Sequence, residues 1–155
     1  MGADHQGRQH YDRLKAHIMA ELLAAAPSLL ARLFIALDGH DYDALTDCFA
    51  PDGVWLRQGK TLSGRGQVRQ TLMETKPAIR TTIHQLSNVC IDNVSADSGS
   101  GRFYLAVYRH DSGSPPPYPV PTPRNLGLCK VDYVLVEKTW LVQRMQTGPY
   151  VFTTA

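Results

Sequence analysis

The order of helical and strand patterns along the chain limits its fold more than any other feature. In the first half, apolar residues such as Leu14, Ile18 and Leu22 recur at the three-to-four spacing of a helix. The second half is rich in β-branched residues, in runs that turn signals separate. Helices followed by hairpin-linked strands predict an α+β domain with helices packed on one face of an antiparallel sheet.

Prolines and glycines divide the helical half. Pro27 is expected to break the first helix, and Gly39 to end the second. A short third helix is expected to open at Asp41, and a fourth, after Ser63, to end at Pro77. The first nine residues, which are polar, are expected to be disordered or extended, and residues 10–155 to form a single domain.

The predicted strands alternate with turns over most of the second half. They cover 54–58, 81–94, 101–110, 126–138 and 140–146. Between two of them, residues 113–124 include six prolines within nine positions. Proline cannot donate to a strand ladder, so an extended surface loop is expected there.

Both faces of the strand over 101–110 are apolar. One face carries Phe103, Leu105 and Val107, and the other carries Tyr104, Ala106 and Tyr108. An antiparallel sheet with one wet face usually alternates apolar and polar residues. One face is therefore expected to cover a core or pocket, and the other to pair with another subunit in a homodimer or homotrimer.

Composition excludes several function classes. Sixteen Lys and Arg against fourteen Asp and Glu give a net charge of +2 with no basic run, which argues against nucleic-acid binding. Unbroken apolar runs are only a few residues long, and the N-terminus has no apolar leader, so neither membrane insertion nor secretion is expected. Three widely spaced cysteines (Cys48, Cys90 and Cys129) are expected to be reduced thiols in the cytoplasm. The sequence has no cluster of Cys and His residues, so no metal site is expected.

Three sequence blocks carry a family resemblance. They are FIALDGHDYDAL at 34–45, FAPDGVW at 49–55 and TIHQLSN at 82–88. These blocks resemble the SnoaL-like branch of the NTF2-like superfamily. The resemblance implies a cone, in which a strongly curved antiparallel sheet wraps around the N-terminal helices and encloses an apolar pocket.

Within that superfamily the blocks look most like scytalone dehydratase, bile acid 7α-dehydratase and hexachlorocyclohexane dehydrochlorinase, which are cofactor-free lyases. The resemblance places the catalytic Asp of these enzymes on Asp38 and their catalytic His on His84. His110 lies near a second pocket histidine of scytalone dehydratase, and Trp55 matches a pocket tryptophan of the dehydrochlorinase. No cofactor is implied.

An Asp–His pair suits proton transfer on physical grounds. Imidazole titrates near neutrality and so accepts protons well at neutral pH. A carboxylate on the other ring nitrogen fixes the tautomer and stabilises the imidazolium. If His84 faces inward, strand alternation also points Thr82, Leu86, Asn88 and Cys90 inward.

The leaving-group machinery of these relatives is not retained. Leu33 stands where the dehydrochlorinase has a lysine, and Arg144 follows Trp140 by four residues where that enzyme's pocket arginine follows by five. A one-residue change turns a strand side chain to the other face unless a bulge compensates. The residues expected to contact substrate are Leu33, Phe34, Trp55, Met73, Leu86, Asn88, Tyr108 and Arg144.

The sequence therefore predicts a cofactor-independent lyase or isomerase acting on a small hydrophobic cyclic molecule. His84 would abstract the proton, Asp38 would orient it, and His110 would protonate a leaving hydroxyl. One alternative is a non-catalytic binding or assembly module, like the β subunits of ring-hydroxylating dioxygenases. Another is a polyketide cyclase with the same acid–base groups.

Overall fold

The structure, a computed structural model, describes residues 3–75, 79–119 and 121–154. It confirms the α+β class, with a long N-terminal helix against a curved, unclosed sheet. The helices are α1 (Ala3–Asp38), α2 (Tyr42–Asp47) and α3 (Gly64–Glu74). The strands are β1 (Phe49–Arg57), β2 (Lys60–Ser63), β3 (Arg80–Val94), β4 (Ser98–Asp111), β5 (Asn125–Val136), β6 (Thr139–Thr147) and β7 (Phe152–Thr153).

α1 is one continuous helix, so the predicted break at Pro27 is wrong. Pro27 is exposed, while Ala26 and Leu29 on either side of it are buried in the core. Interior proline costs a helix about 3 kcal/mol, and burying two or three large side chains beyond it offsets that cost. The helix also begins at Ala3, so the extended segment expected over residues 1–9 is wrong from Ala3 onward. Residues 1 and 2, like Pro77, lie outside the described residues.

The apolar stripe of α1 provides much of the core. Leu22, Leu30 and Phe34 are almost completely buried. By length and composition, Gln6–Asp38 could cross a membrane, which the short unbroken apolar runs had not suggested. Core helices of water-soluble proteins meet the same criterion, and here the stripe is already packed against the sheet.

The described strands form one sheet in the order β2-β1-β6-β5-β4-β3, with β7 paired to β5. The pairs are antiparallel except β1 with β6, which is parallel. The hairpin turns use left-handed backbone, at Gln58 and Gly59 before β2 and at Glu137 and Lys138 before β6. Such turns match the right-handed twist of the strands that they join.

A bulge in β3 changes which residues face inward. Ser87 pairs with Tyr104 and Cys90 with Arg102, so two β3 residues lie opposite one β4 residue. Asn88 occupies the bulge with φ 54° and is exposed. The inward expectation for Asn88 and Cys90 is therefore wrong: beyond the bulge, Val89 and Ile91 pack on the core instead.

Candidate active site

Asp38 is the last residue of α1, at the helix end where unpaired carbonyls concentrate partial negative charge. The last turn contains no basic residue to offset the carboxylate. A carboxylate is electrostatically disfavoured at that position. The carboxylate therefore needs hydrogen-bond donors from another element to stabilise it, and β3 supplies them.

Asp38 receives hydrogen bonds from two residues of β3. The His84 backbone N–H donates to Oδ2 at 2.8 Å, and the Thr82 hydroxyl donates to Oδ1 at 3.2 Å. The ring nitrogen Nδ1 of His84 lies 2.6 Å from Oδ1. Because β3 is the edge strand, some of its backbone N–H groups have no ladder partner, and Asp38 uses one of them.

The hydrogen bond to Asp38 sets the state of the His84 ring. An ionised carboxylate only accepts hydrogen bonds, so Nδ1 carries the proton. In the neutral ring, Nε2 is then left with its lone pair available. Among the described residues, none hydrogen-bonds Nε2, and the ring packs against Phe34 with centroids 5.3 Å apart. The His84 side chain is about 10% exposed, so the pair is shielded yet open to one cavity.

The cavity enclosed between the sheet and the ends of α1 and α3 has a volume of about 370 Å³. Its walls combine apolar and cationic side chains, so it is less apolar than predicted. The lining residues are Phe34, Leu37, His40, Tyr42, Trp55, Arg57, Gln58, Leu72, Thr75, Arg80, Thr82, His84, Leu105, Val107, Arg109, Arg124, Asn125, Thr147, Tyr150 and Thr153.

Trp55 and Arg57 form one wall together. The Trp55 indole donates from Nε1 to the Thr147 hydroxyl at 3.0 Å, which fixes the ring. The Arg57 guanidinium lies 5.0 Å from the centroid of that ring. Burial lowers the pKa of Arg57, and the neighbouring Tyr150 and Tyr42 oppose that shift. Arg57 nevertheless remains charged at neutral pH, because the ordinary pKa of arginine is above 12.

Arg80 and Arg109 share one carboxylate. The Nε of Arg80 lies 2.7 Å from Oδ1 of Asp111, and the Nε of Arg109 lies 2.6 Å from Oδ2. Hydrogen bonding to Arg109 and then to Arg80 lowers the pKa of Asp111 to about 2. Two guanidinium groups against one carboxylate leave this part of the wall cationic.

Asp38, His84, Phe34 and Trp55 lie together at this site, but His110 does not. His110 lies on the outer face of β4, where its ring stacks on Tyr118 with centroids 4.2 Å apart. Tyr108 is on the same outer face, paired with the exposed Ile83. The reason is strand alternation, which places His110 and Tyr108 on the same face as Tyr104. The inward residue at this end of β4 is Arg109.

Five other predicted contact residues also lie away from the cavity, each for a local reason. Leu33 is fully buried in the core, and Leu86 packs against that core from β3. Met73 is 52% exposed, because α3 turns Val68 and Leu72 inward instead. Asn88 and Arg144 are exposed. The extra residue at Gln143 in β6 puts Val142 and Met145 on the inner face and so turns Arg144 outward.

Sequence reasoning missed Arg57 and Arg109, although a signal for both was present. Arg57 is two residues after Trp55, and Arg109 is two residues after Val107, so each shares an inward face with a recognised apolar residue. Tyr150 and Thr153 had no such signal. They reach the cavity because β7 returns along β5.

The site holds no group of metal ligands within 3–75, 79–119 and 121–154: no cluster of three His, Cys, Asp or Glu side chains occurs there. The side chains at the site offer several kinds of chemical group. These are a carboxylate-oriented imidazole, a hydroxyl, several guanidinium groups and an apolar floor.

Comparison with solved structures identifies the fold. A protein from Novosphingobium aromaticivorans assigned as a scytalone dehydratase matches with a TM-score of 0.74 at 20% identity, over 90% of each chain. Hexachlorocyclohexane dehydrochlorinase LinA-type3 from Novosphingobium barchaimii matches at 0.71 and 15% identity, over 90% of this chain and 92% of the other. A protein of N. aromaticivorans assigned as an aromatic ring hydroxylase matches at 0.71 and 19%, over 86% and 91%.

These likenesses establish the NTF2-like cone fold predicted from the sequence. A comparison with curated protein sequences gives no significant match. The model of the SnoaL-like domain family, however, matches residues 19–146, most of the chain. The chain therefore belongs to the SnoaL-like domain family.

Proposed function

We propose that this protein is a cofactor-independent lyase or isomerase in which His84 is the general base. The observation that carries the proposal is the 2.6 Å contact between His84 Nδ1 and Asp38 Oδ1 beside an unfilled cavity. A non-catalytic scaffold needs neither a tautomer-fixing carboxylate nor an open cavity. The solved structures that share this fold include a dehydrochlorinase, which is consistent with such an activity.

The proposed reaction begins with Nε2 of His84 taking a proton from a carbon next to an activating group. Asp38 stabilises the imidazolium that forms, since its carboxylate already accepts from Nδ1. In an elimination, the electron pair of the C–H bond forms the new double bond, and the leaving group departs with its own bonding pair. In an isomerisation, the same imidazolium returns the proton to a second carbon of the substrate.

The substrate class follows from the walls. Phe34 and Trp55 offer flat aromatic surface and Leu105 adds an apolar side chain, which suits a small cyclic molecule. A volume of about 370 Å³ is at the lower end of the range for ligand pockets. Polyketide cyclisation would employ the same base, so linear polyketide esters belong among the compounds to be tested.

The test is turnover of a substrate panel by the wild type and by His84→Ala. The panel contains cyclic β-hydroxyketones, halogenated cyclohexanes, β,γ-unsaturated cyclic ketones and linear polyketide esters. His17→Ala is the matched control, because His17 lies on the exposed face of α1. We expect His84→Ala to lose about 10²–10⁴ in rate on whichever compound reacts, and His17→Ala to lose none. Full turnover by folded His84→Ala would contradict the proposal.

We also propose that the outer face of the sheet joins copies of the chain. Ile83, Tyr104 and Leu128 are 56%, 43% and 37% exposed on adjacent strands of that face. Light scattering after size exclusion should give a dimer or trimer at micromolar concentration, and Tyr104→Arg should shift it to monomer. A monomeric wild type would contradict this proposal without affecting the first.

A further inference from the structure

We propose that the substrate of this site carries a carboxylate and that Arg57 binds it. This inference rests on the proposed function, because it takes the cavity beside Asp38 and His84 as the substrate site. It adds the chemical class of the molecule that enters, a small cyclic acid, which neither the family nor the dyad specifies.

Arg57 has no anionic partner among the described residues. Within those ranges it contacts the Trp55 ring and is influenced electrostatically by Tyr42 and Tyr150. A partly buried guanidinium without a counter-ion is costly unless something pairs with it. The Asp111 carboxylate is already engaged by Arg80 and Arg109.

The guanidinium of Arg57 is oriented by a contact that leaves its donors free. The contact with Trp55 uses the interaction of a cation with a ring and requires no N–H donor. No described residue accepts a hydrogen bond from the Arg57 side chain, so its planar fork of N–H groups is available, and the geometry of that fork matches a carboxylate bidentately. Trp55 is itself held by Thr147, so the arginine rests on a fixed platform.

The charged side chains that line the cavity are of one sign. Four lining residues (Arg57, Arg80, Arg109 and Arg124) are cationic, and no Asp or Glu is among the lining residues within the described ranges. A cleft lined by one sign of charge concentrates ligands of the opposite sign. Among the described residues, neither Arg57 nor Arg124 has a carboxylate partner, and Arg57 is the one that lies against Trp55. We commit to a carboxylate at Arg57 and leave phosphate as an outcome of the test.

Because the ligand chemistry is specified, binding can be measured without knowing the substrate. The probes are benzoate and cyclohexanecarboxylate, with benzamide and cyclohexanecarboxamide as neutral molecules of the same shape. Inorganic phosphate is a fifth probe. Titration calorimetry, with ligand-observed NMR for weak binders, compares wild type, Arg57→Met and Arg57→Lys. Arg144→Met is the matched control, because Arg144 is an exposed arginine outside the cavity.

We expect wild type and Arg144→Met to prefer each carboxylate over its amide by about tenfold to a hundredfold. Arg57→Met should reduce the preference to about twofold or less, and Arg57→Lys, which keeps the charge and loses the fork, should lie between. Equal binding of acid and amide, no binding of either acid, or tighter binding of phosphate would each overturn the inference. A preference that survives in Arg57→Met would overturn it as well.

The same proteins separate this inference from the proposed function. Folded His84→Ala should keep the carboxylate preference, because His84 takes no part in binding that group. If His84→Ala retained turnover while Arg57→Met lost the preference, the general base would be wrong and the anion site right. If Arg57→Met kept the preference while His84→Ala lost turnover, the reverse would hold.

Discussion

The inner face of the sheet has a packed region and a cavity region. The same alternation of side chains along the strands produces both. In the packed region, Phe103 and Cys129 are fully buried, and a Cβ at Gly99 would collide with Leu22 of α1. In the cavity region, His84 contacts the last turn of α1 through Phe34 and Asp38, and Arg57 and Arg109 point into the cavity beyond that turn. The length of α1 therefore decides where the core stops and the site begins.

The largest expected effect is on turnover in the cavity region. Asp38→Asn should reduce turnover by about 10²–10⁴, because an amide can donate to Nδ1 and so favour the wrong tautomer of His84. Asp52→Asn, at an exposed position of β1, is the control. Nitrogen-15 NMR of the His84 ring should show the proton moving from Nδ1 to Nε2. An unchanged tautomer with unchanged turnover would contradict the role of Asp38.

In the packed region the expected effect is on stability. Phe103→Ala should lower the free energy of unfolding by about 3–5 kcal/mol, because it leaves a void between Phe34 and the sheet. Tyr104→Ala, one residue away on the outer face, should cost much less. Denaturant unfolding measures both. Equal losses would mean that the two faces of β4 are buried alike, and the distinction between them would fail.

Alkaline pH should weaken the packed region through Cys129. Burial raises the pKa of this thiol to about 11, above its ordinary value of 9.0. The unfolded chain therefore ionises first. Stability is undiminished below pH 9 and is lost as the pH rises from 9 towards 11, by about 3 kcal/mol for a shift of two pH units.

Unfolding curves between pH 8 and 11 test this shift. Cys129→Ala should flatten the part of the decline that belongs to the thiol, even though the variant is less stable at pH 8. Cys90→Ala, at an exposed cysteine, should leave the decline unchanged. A decline as steep in Cys129→Ala as in wild type would assign it to buried tyrosines such as Tyr133, whose pKa burial also raises.

The smallest expected effect concerns Thr82. Thr82→Val removes one donor to Asp38 and should cost about 1 kcal/mol of stability, with a several-fold loss of turnover. Thr81→Val, on the exposed side of the same strand, is the matched control. Identical behaviour of the two variants would show that the remaining donors from His84 hold Asp38 on their own.

Much of the fold was predictable because its signals are local. Of the strands that the structure describes, β1, β3, β4, β5 and β6 match the predicted spans to within three residues at each end, except at the start of β1, which begins at Phe49. The short strands β2 and β7 had no predicted span. The Asp38–His84 pair was predicted only through family resemblance, since 46 residues separate the two side chains. Pro27 was misjudged because its local cost is visible in the sequence, whereas the burial that offsets it is not.

Local sequence patterns specify the α+β class, the alternation of β4 and the residue types available for proton transfer. Which of those residues meet depends on the three-dimensional fold. A bulge at Asn88 reversed the facing of β3 beyond it, and the outer position of His110 removed it from the cavity. The cationic wall came from Arg57, Arg109 and Arg124, which are far apart in the chain. Their proximity depends on how the sheet curves and where α1 ends, and no local pattern encodes either.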